Sequence, residues 1–247
     1  MSDAALKTTV LVLSIILALP AFADSANTGL AYFTDSDARG LLDQSDIKGD
    51  FPDSVRYFVS EVKQTYCAIA SSVIVLNSLG VESPVAPEIY PFQKFNQQNI
   101  FTAKVLENYS PLEVEEKGLT LQQAAGLLSA YPVGVEFVFA SDSSPSQFKS
   151  QAIEALQATD KRLIINFSRQ ALGQAGIGHF SPVVAYNETR DMFLVMDVAR
   201  YKLPPVWVKS ELLYKALQGE DSSSKKSRGY IIVTRKASPG PISLSGQ

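Results

Sequence analysis

The alternation of apolar and polar positions divides the chain into a helical first half and a strand-rich second half. The run Cys67-Ala-Ile-Ala-Ser-Ser-Val-Ile-Val-Leu-Asn-Ser-Leu79 is apolar on nearly every side and stops at Gly80, a residue suited to ending a helix. It predicts a buried helix with Cys67 in its first turn. The β-branched Ile69, Val73, Ile74 and Val75 also suit a strand, and periodicity alone leaves that alternative open. Upstream, residues 24–52 are polar and dotted with Gly and Asp, which predicts a segment lying on the surface before the core begins. Downstream, Pro84, Pro87 and Pro91 mark a loop-rich stretch, followed by a helix near 100–108. Thr120 with Gln123 matches a capping box opening a helix to about residue 130. The period then changes. Residues 133–140 and 162–168 read as strands, with a helix over 145–158 between them carrying Phe148, Ala152, Ile153 and Leu156 on its apolar face. Residues 179–186 and 192–198, joined by Asn187-Glu-Thr-Arg-Asp191, read as a hairpin, and 230–235 as a last strand before a flexible tail at 238–247. The expected fold class is α+β, with a mainly helical N-terminal lobe and an antiparallel β-sheet C-terminal lobe.

The first 23 residues read as a secretory signal. Lys7 precedes the apolar run Val10 to Leu19, and Ala21-Phe22-Ala23 fits a small-X-small cleavage site before Asp24. That run falls short of the roughly 20 residues a bilayer requires, so no stable membrane span is expected after cleavage. The folded domain is then expected over 24–237. In a Gram-negative host the mature chain would be periplasmic, where an unpaired Cys has to be buried or used.

Composition narrows the chemistry. With 22 Lys+Arg against 25 Asp+Glu in 247 residues, the net charge of −3 argues against electrostatic nucleic-acid binding. One Cys and one His exclude an internal disulfide, a Cys-X-X-Cys pair, a Cys-rich zinc site and a His cluster. Chemistry therefore falls to Cys67, His179 or carboxylates. A helix N-terminus favours a thiolate, although a lone Cys also suits a small core residue. His179 lies in Gly176-Ile-Gly-His-Phe-Ser-Pro182. With the hairpin centred near residue 189, His179 lies across from about position 199, and Asp197 is a diagonal neighbour on the same face. Asp197 can then fix the imidazole tautomer, completing the chain order Cys, His, Asp found in papain-like thiol enzymes.

Four segments carry a specific resemblance: Gln64-Thr-Tyr-Cys-Ala-Ile-Ala-Ser-Ser72, Gly178-His-Phe-Ser-Pro182, Asp197-Val-Ala-Arg-Tyr-Lys-Leu-Pro-Pro-Val-Trp-Val208 and Ser227-Arg-Gly-Tyr230. Together they resemble phytochelatin synthases over about residues 57–235. The resemblance implies a papain-like fold and glutathione, or its S-conjugates, as substrate. It makes Cys67 the nucleophile that releases glycine and holds γ-glutamylcysteine as a thioester, His179 the general base and later acid, and Asp197 the orienting partner. The acyl group passes to water or to a second glutathione, the latter giving phytochelatin in heavy-metal detoxification. By the same resemblance Arg228 binds the γ-glutamyl end, Asp221 holds that guanidinium, and Arg169 is a basic substrate-binding position. Two departures stand out. The family's oxyanion-region Gln, six residues before the Cys, is Glu61 here, and the residue after the Cys is Ala68 rather than Gly. An ionised Glu61 cannot donate to an oxyanion, at a cost of about 10²–10³ in rate. Three readings stay open: Glu61 is protonated, Gln64 partly substitutes, or the protein is a weakened glutathione-binding pseudoenzyme. A peptidase with a protein substrate is a third class of function. The Cys-rich C-terminal region of plant and animal members has no counterpart here, and bacterial short forms are mostly hydrolases. No protein metal site or required cofactor is implied; ions such as Cd or Zn enter as glutathione thiolate complexes. The oligomeric state is open, a homodimer included.

Overall fold

The computed structural model describes residues 28–236, so the expected signal at 1–23 and tail at 238–247 lie outside the described residues. The chain order is β1 (Leu30–Tyr32), α1 (Ser36–Asp43), α2 (Asp50–Arg56), α3 (Cys67–Ser78), α4 (Ala103–Leu106), α5 (Pro111–Lys117), α6 (Leu121–Leu128), β2 (Val133–Phe139), α7 (Pro145–Gln157), β3 (Lys161–Ser168), β4 (Gly178–Asn187), β5 (Met192–Val195), β6 (Val206–Lys209), α8 (Ser210–Leu217), β7 (Glu220–Asp221), β8 (Lys226–Ser227) and β9 (Gly229–Arg235). Seven strands form one antiparallel sheet in the order β1-β6-β5-β4-β3-β9-β2, while β7 and β8 make a separate small ribbon. This is a mixed α+β architecture.

Both faces of the sheet are covered, which is why its central strands are apolar on successive residues rather than alternate ones. On one face Leu163, Ile165, Phe167, Phe193, Tyr230 and Ile232 pack with Phe148 of α7 and Leu213 of α8. On the other, Ile164, Phe180, Ile231 and Val233 pack against Ile69, Val73 and Leu76 of α3 and Leu121 and Leu128 of α6. Next to that second cluster, Leu194 and Trp207 are covered by Ala38 and Leu41 of α1. The helix α3 buries every residue from Ala68 to Asn77, as its unbroken apolar run requires, and the strand alternative for it is excluded. Gly80 follows with φ of 65°, a left-handed position that removes any penalty for ending the helix there. The capping box of α6 is present, Thr120 accepting from the Gln123 amide while the Gln123 side chain accepts from that of Thr120.

Three expectations change. Residues 24–52 were expected on the surface, yet within them Leu30, Ala31, Ala38, Leu41 and Ile47 are buried, and β1 pairs with β6 to form one edge of the sheet. The apolar runs there, Leu30 to Phe33 and Leu41-Leu42, are too short to announce a core element by themselves. The helix near 100–108 contracts to the single turn α4, because the Ile100 carbonyl is taken by the Tyr131 hydroxyl and Thr102 caps the chain two residues on. The separation of helices from strands along the chain is incomplete, since β1 lies in the first half and α7 and α8 are interleaved with strands. No helix among the described residues is long and apolar enough to cross a membrane.

Candidate active site

Cys67 is the first residue of α3, behind an N-cap Tyr66 whose side chain makes no capping bond. That leaves the positive end of the helix dipole facing the sulfur. Burial nevertheless dominates and pushes the thiol up to about 11, with the backbone amides of Phe180 and Ala68 drawing it down and Glu61 adding to the rise. The sulfur, an imidazole nitrogen of His179 and a carboxylate oxygen of Glu61 all lie within 4.8 Å of one another. The tight buried side of this cluster is made by His179 and Glu61, which are 3% and 5% exposed.

The sheet positions His179. It is the second residue of β4, paired with Phe167 of β3, whose ring meets the imidazole edge to face at 5.6 Å between centroids. The β4–β5 ladder carries a bulge between Val183 and Ala185, and β5 ends at Val195, so neither His179 nor Asp197 lies in the ladder, and the diagonal register expected from the hairpin count does not apply. It reaches the imidazole from just beyond the strand. There the chain is fixed by the Met196 amide donating to the Pro182 carbonyl and the Val198 amide to Ser181 Oγ. His179 Nε2 lies 2.9 Å from Asp197 Oδ1. An ionised carboxylate can only accept, so Nε2 carries the hydrogen and Nδ1 is left to take a proton.

Asp197 is fully buried and accepts from Arg169 through both guanidinium nitrogens, at 2.8 and 2.9 Å, and from the Ala199 amide at 2.9 Å. Burial alone would raise its pKa, but His179 and Arg169 outweigh burial and hold the carboxyl well below its usual range. His179 is also lowered, but by burial, which favours its neutral form; Asp197 opposes, and Arg169 and Lys202 add to the lowering. The resting pair is therefore a neutral thiol and a neutral imidazole whose orientation is locked.

Glu61 is held by its amide donating to the Val198 carbonyl and by Tyr201, whose hydroxyl donates to Oε1 at 2.6 Å. Its Oε2 is buried with no partner. Burial raises the pKa of this carboxyl, against the Tyr201 bond that lowers it, and Asp197 adds to the rise. Gln64, by contrast, is exposed at the mouth of the groove that leads to Cys67.

That groove, about 280 Å³, is lined by Gln64, Cys67, Gly118, Gly178, Asp221 and Arg228 among others. A larger cavity of about 630 Å³, lined by Tyr109, Gln123, Phe137 and Lys226, holds neither the thiol nor the imidazole, so the chemistry follows the smaller one. Arg228 is 5% exposed, and its Nη1 donates to Asn166 Oδ1 at 2.8 Å. Asp221 acts on it only through space, raising the guanidinium pKa that burial lowers, while its own Oδ1 accepts from the Ser223 amide. Arg228 Nε and Asn166 Nδ2 are buried donors without partners among the described residues. Arg169, predicted as a substrate contact, commits both terminal nitrogens to Asp197 and one also to Gln174.

The structure thus brings Cys67, His179, Asp197 and Glu61 together and places Arg228, Asp221 and Gln64 along the groove. Arg169 lies behind Asp197 instead. Sequence reasoning missed Asn166, Gln174 and Tyr201. Only Tyr201 carried a signal, standing in the segment that begins at Asp197.

Comparison with known proteins adds an independent line. A family model described as phytochelatin synthase matches residues 25–230. A Lotus japonicus protein named glutathione gamma-glutamylcysteinyltransferase 3 is 33% identical over 195 residues, covering 78% of this chain and 39% of that protein. Glutathione gamma-glutamylcysteinyltransferase 1 of Arabidopsis thaliana is 31% identical over 217 residues, 87% of this chain and 42% of its own. The Schizosaccharomyces pombe protein named glutathione gamma-glutamylcysteinyltransferase is 29% identical over 175 residues, 71% and 41% respectively. The chain spans about two-fifths of the length of these relatives.

Proposed function

The chain belongs to the phytochelatin synthase family, and from that premise we propose that it is a thiol acyltransferase and hydrolase acting on glutathione. The observation that carries this reading is the Cys67–His179–Asp197 constellation, with thiol and imidazole within 4.8 Å and the imidazole fixed at 2.9 Å by a carboxylate. In this reading His179 Nδ1 takes the Cys67 proton as the sulfur attacks the amide carbonyl between cysteine and glycine. The protonated imidazole then gives that proton to the departing glycine nitrogen, leaving γ-glutamylcysteine as a thioester on Cys67. Water or the amino group of a second glutathione, deprotonated by the same imidazole, takes the acyl group, and the thiol is regenerated. Hydrolysis is the dominant outcome we propose, with peptide synthesis as the minor one. Heavy-metal ions enter, where they do, as thiolate complexes of the substrate. The papain-like topology and export through the N-terminal apolar run belong to the same proposal.

Arg228 supports the choice of an anionic substrate. A buried guanidinium with no carboxylate within ion-pair distance is costly, and the unpartnered Arg228 Nε and Asn166 Nδ2 are both donors. The α-carboxylate of a γ-glutamyl group satisfies them. Arg169 is reassigned from substrate contact to a positioning residue that aligns Asp197. Glu61 is compatible with catalysis rather than a pseudoenzyme, because burial favours its neutral form and a neutral carboxyl retains one O–H donor on the unpartnered Oε2.

The test is incubation of the purified chain with glutathione, following free glycine and the mass of the intact protein. Glycine release with an acyl adduct on Cys67, both absent in Cys67→Ser, is the expected result. Binding of glutathione without glycine or adduct in wild type and Glu61→Gln alike would establish the binding-only alternative.

A further inference from the structure

Counting residue types excluded a metal centre built from several cysteines or several histidines, but one of each can share a site with a carboxylate. We propose that Glu61, Cys67 and His179 form a binding site for one thiophilic divalent cation of the zinc class. The three ligand atoms come from separate segments and already lie within 4.8 Å of one another. Around a tetrahedral zinc they would be roughly 3.3–3.8 Å apart, given bonds of about 2.0–2.3 Å, so the required closure is small.

Three further observations favour such an ion. Glu61 is buried, and among the described residues its Oε2 has no hydrogen-bond partner, which leaves one oxygen of a cluster residue uncommitted. His179 is backed by Asp197 on Nε2, the carboxylate–imidazole pairing that orients a histidine ligand and raises its basicity. A thiolate and a carboxylate together carry two negative charges, so a divalent ion leaves the buried cluster neutral; Arg169 already has its own counterion in Asp197. A sulfur, a nitrogen and one oxygen suit zinc or a related soft ion and are a poor match for magnesium or calcium, which take oxygen donors. Cys67 itself lines the groove with Gln64 and Gly178, the side from which water or an incoming thiolate would complete the shell.

Binding forms three metal–ligand bonds and releases the Cys67 proton, with that of Glu61 when present, to solvent; no oxidation is involved. The bound ion occupies the sulfur and the Nδ1 lone pair together, so a metal-loaded molecule has neither a free nucleophile nor a free base. The carboxylate at position 61 is what adds a third ligand to the Cys–His pair, and an amide in its place would not supply the second negative charge.

The experiment is titration of the purified chain with Co²⁺ in thiol-free buffer, without glutathione, followed by displacement with Zn²⁺. We expect one Co²⁺ per chain, a near-ultraviolet sulfur-to-cobalt band and visible bands of tetrahedral intensity, all lost in Cys67→Ser. Glu61→Gln should weaken binding by about 100-fold or more, since even an outer-shell partner is worth 10–100-fold. Glu61→Asp, which keeps the charge but withdraws the oxygen by one methylene, should fall between, and provides the second variant if the amide is poorly folded. Absence of the sulfur band in wild type, or equal affinity in wild type and both Glu61 variants, overturns the proposal. Because no substrate is present, either result leaves the glycine-release test untouched.

Discussion

At the scale of single residues, the site is set by which charges are neutralised before substrate arrives. Burial lowers His179 below its ordinary 6.5, and a protonated imidazole cannot accept the Cys67 proton. Activity is thus present above the His179 pKa and lost as pH falls through it. The expected kcat/KM profile for glycine release has its acidic midpoint below pH 6.5, and a midpoint at or above 7 would contradict the assignment. Gly178 makes a different prediction. A Cβ there would overlap the Arg228 guanidinium, so Gly178→Ala must displace it from Asn166. KM for glutathione should rise about tenfold or more, for loss of one charge-assisted hydrogen bond, while kcat changes little. Cys67, His179 and Asp197 were legible in the sequence because each is a chemically distinctive residue in a distinctive neighbourhood. Asn166 was not, since a single amide inside an apolar strand looks like any other until Arg228 is seen to need it. Arg169 was found, but its sequence neighbours say nothing about whether its fork faces the groove or, as the structure has it, Asp197.

At the scale of elements, one buried ion cluster ties the catalytic helix to the sheet. Arg162 at the start of β3 donates to Asp50 and Asp53 of α2 and to the Ser78 hydroxyl and carbonyl at the end of α3. Asp50 is 1% and Arg162 2% exposed, and burial pushes the Asp50 carboxyl up to about 8 even beside Arg162, so removing the guanidinium leaves a buried carboxyl and a helix end without their shared donor. Arg162→Ala should lower unfolding stability by about 3–5 kcal/mol in chemical denaturation, against near zero for an exposed pair such as Lys117–Glu116. Elements with strong local signals, α3, α6, α7, β2, β3 and β9, were legible from periodicity and caps. Those that depend on partners were not. The strands β1 and β6 are three and four residues long and exist through pairing, β1 with β6 and β6 with both β1 and β5, while α4 was overestimated because tertiary bonds claim the groups that would lengthen it.

At the scale of the whole molecule, the sheet separates the chemistry from part of the core. Phe148 of α7 is buried among Phe193, Tyr214 and Tyr230, outside the clusters that pack α3. Phe148→Ala should therefore cost about 3–5 kcal/mol of stability while leaving kcat and KM unchanged on the fraction that remains folded, as read from activity normalised to folded protein by circular dichroism. The α+β class followed from the order of local patterns, but the coverage of both faces did not, because α7 and α8 reach theirs only through the crossing order of the strands. The same topology decides when the thiol becomes dangerous. Cys67 meets His179 across more than a hundred residues of chain, and Asp197 comes later still. Such contacts span most of the described chain, so an N-terminal fragment that ends before β4 holds no imidazole, and one that ends with β5 still lacks Asp197. Synthesis therefore proceeds with an isolated thiol, and the three groups meet only once β4 and the segment after β5 have docked beside α3, so folding itself serves as the assembly step for the proposed chemistry.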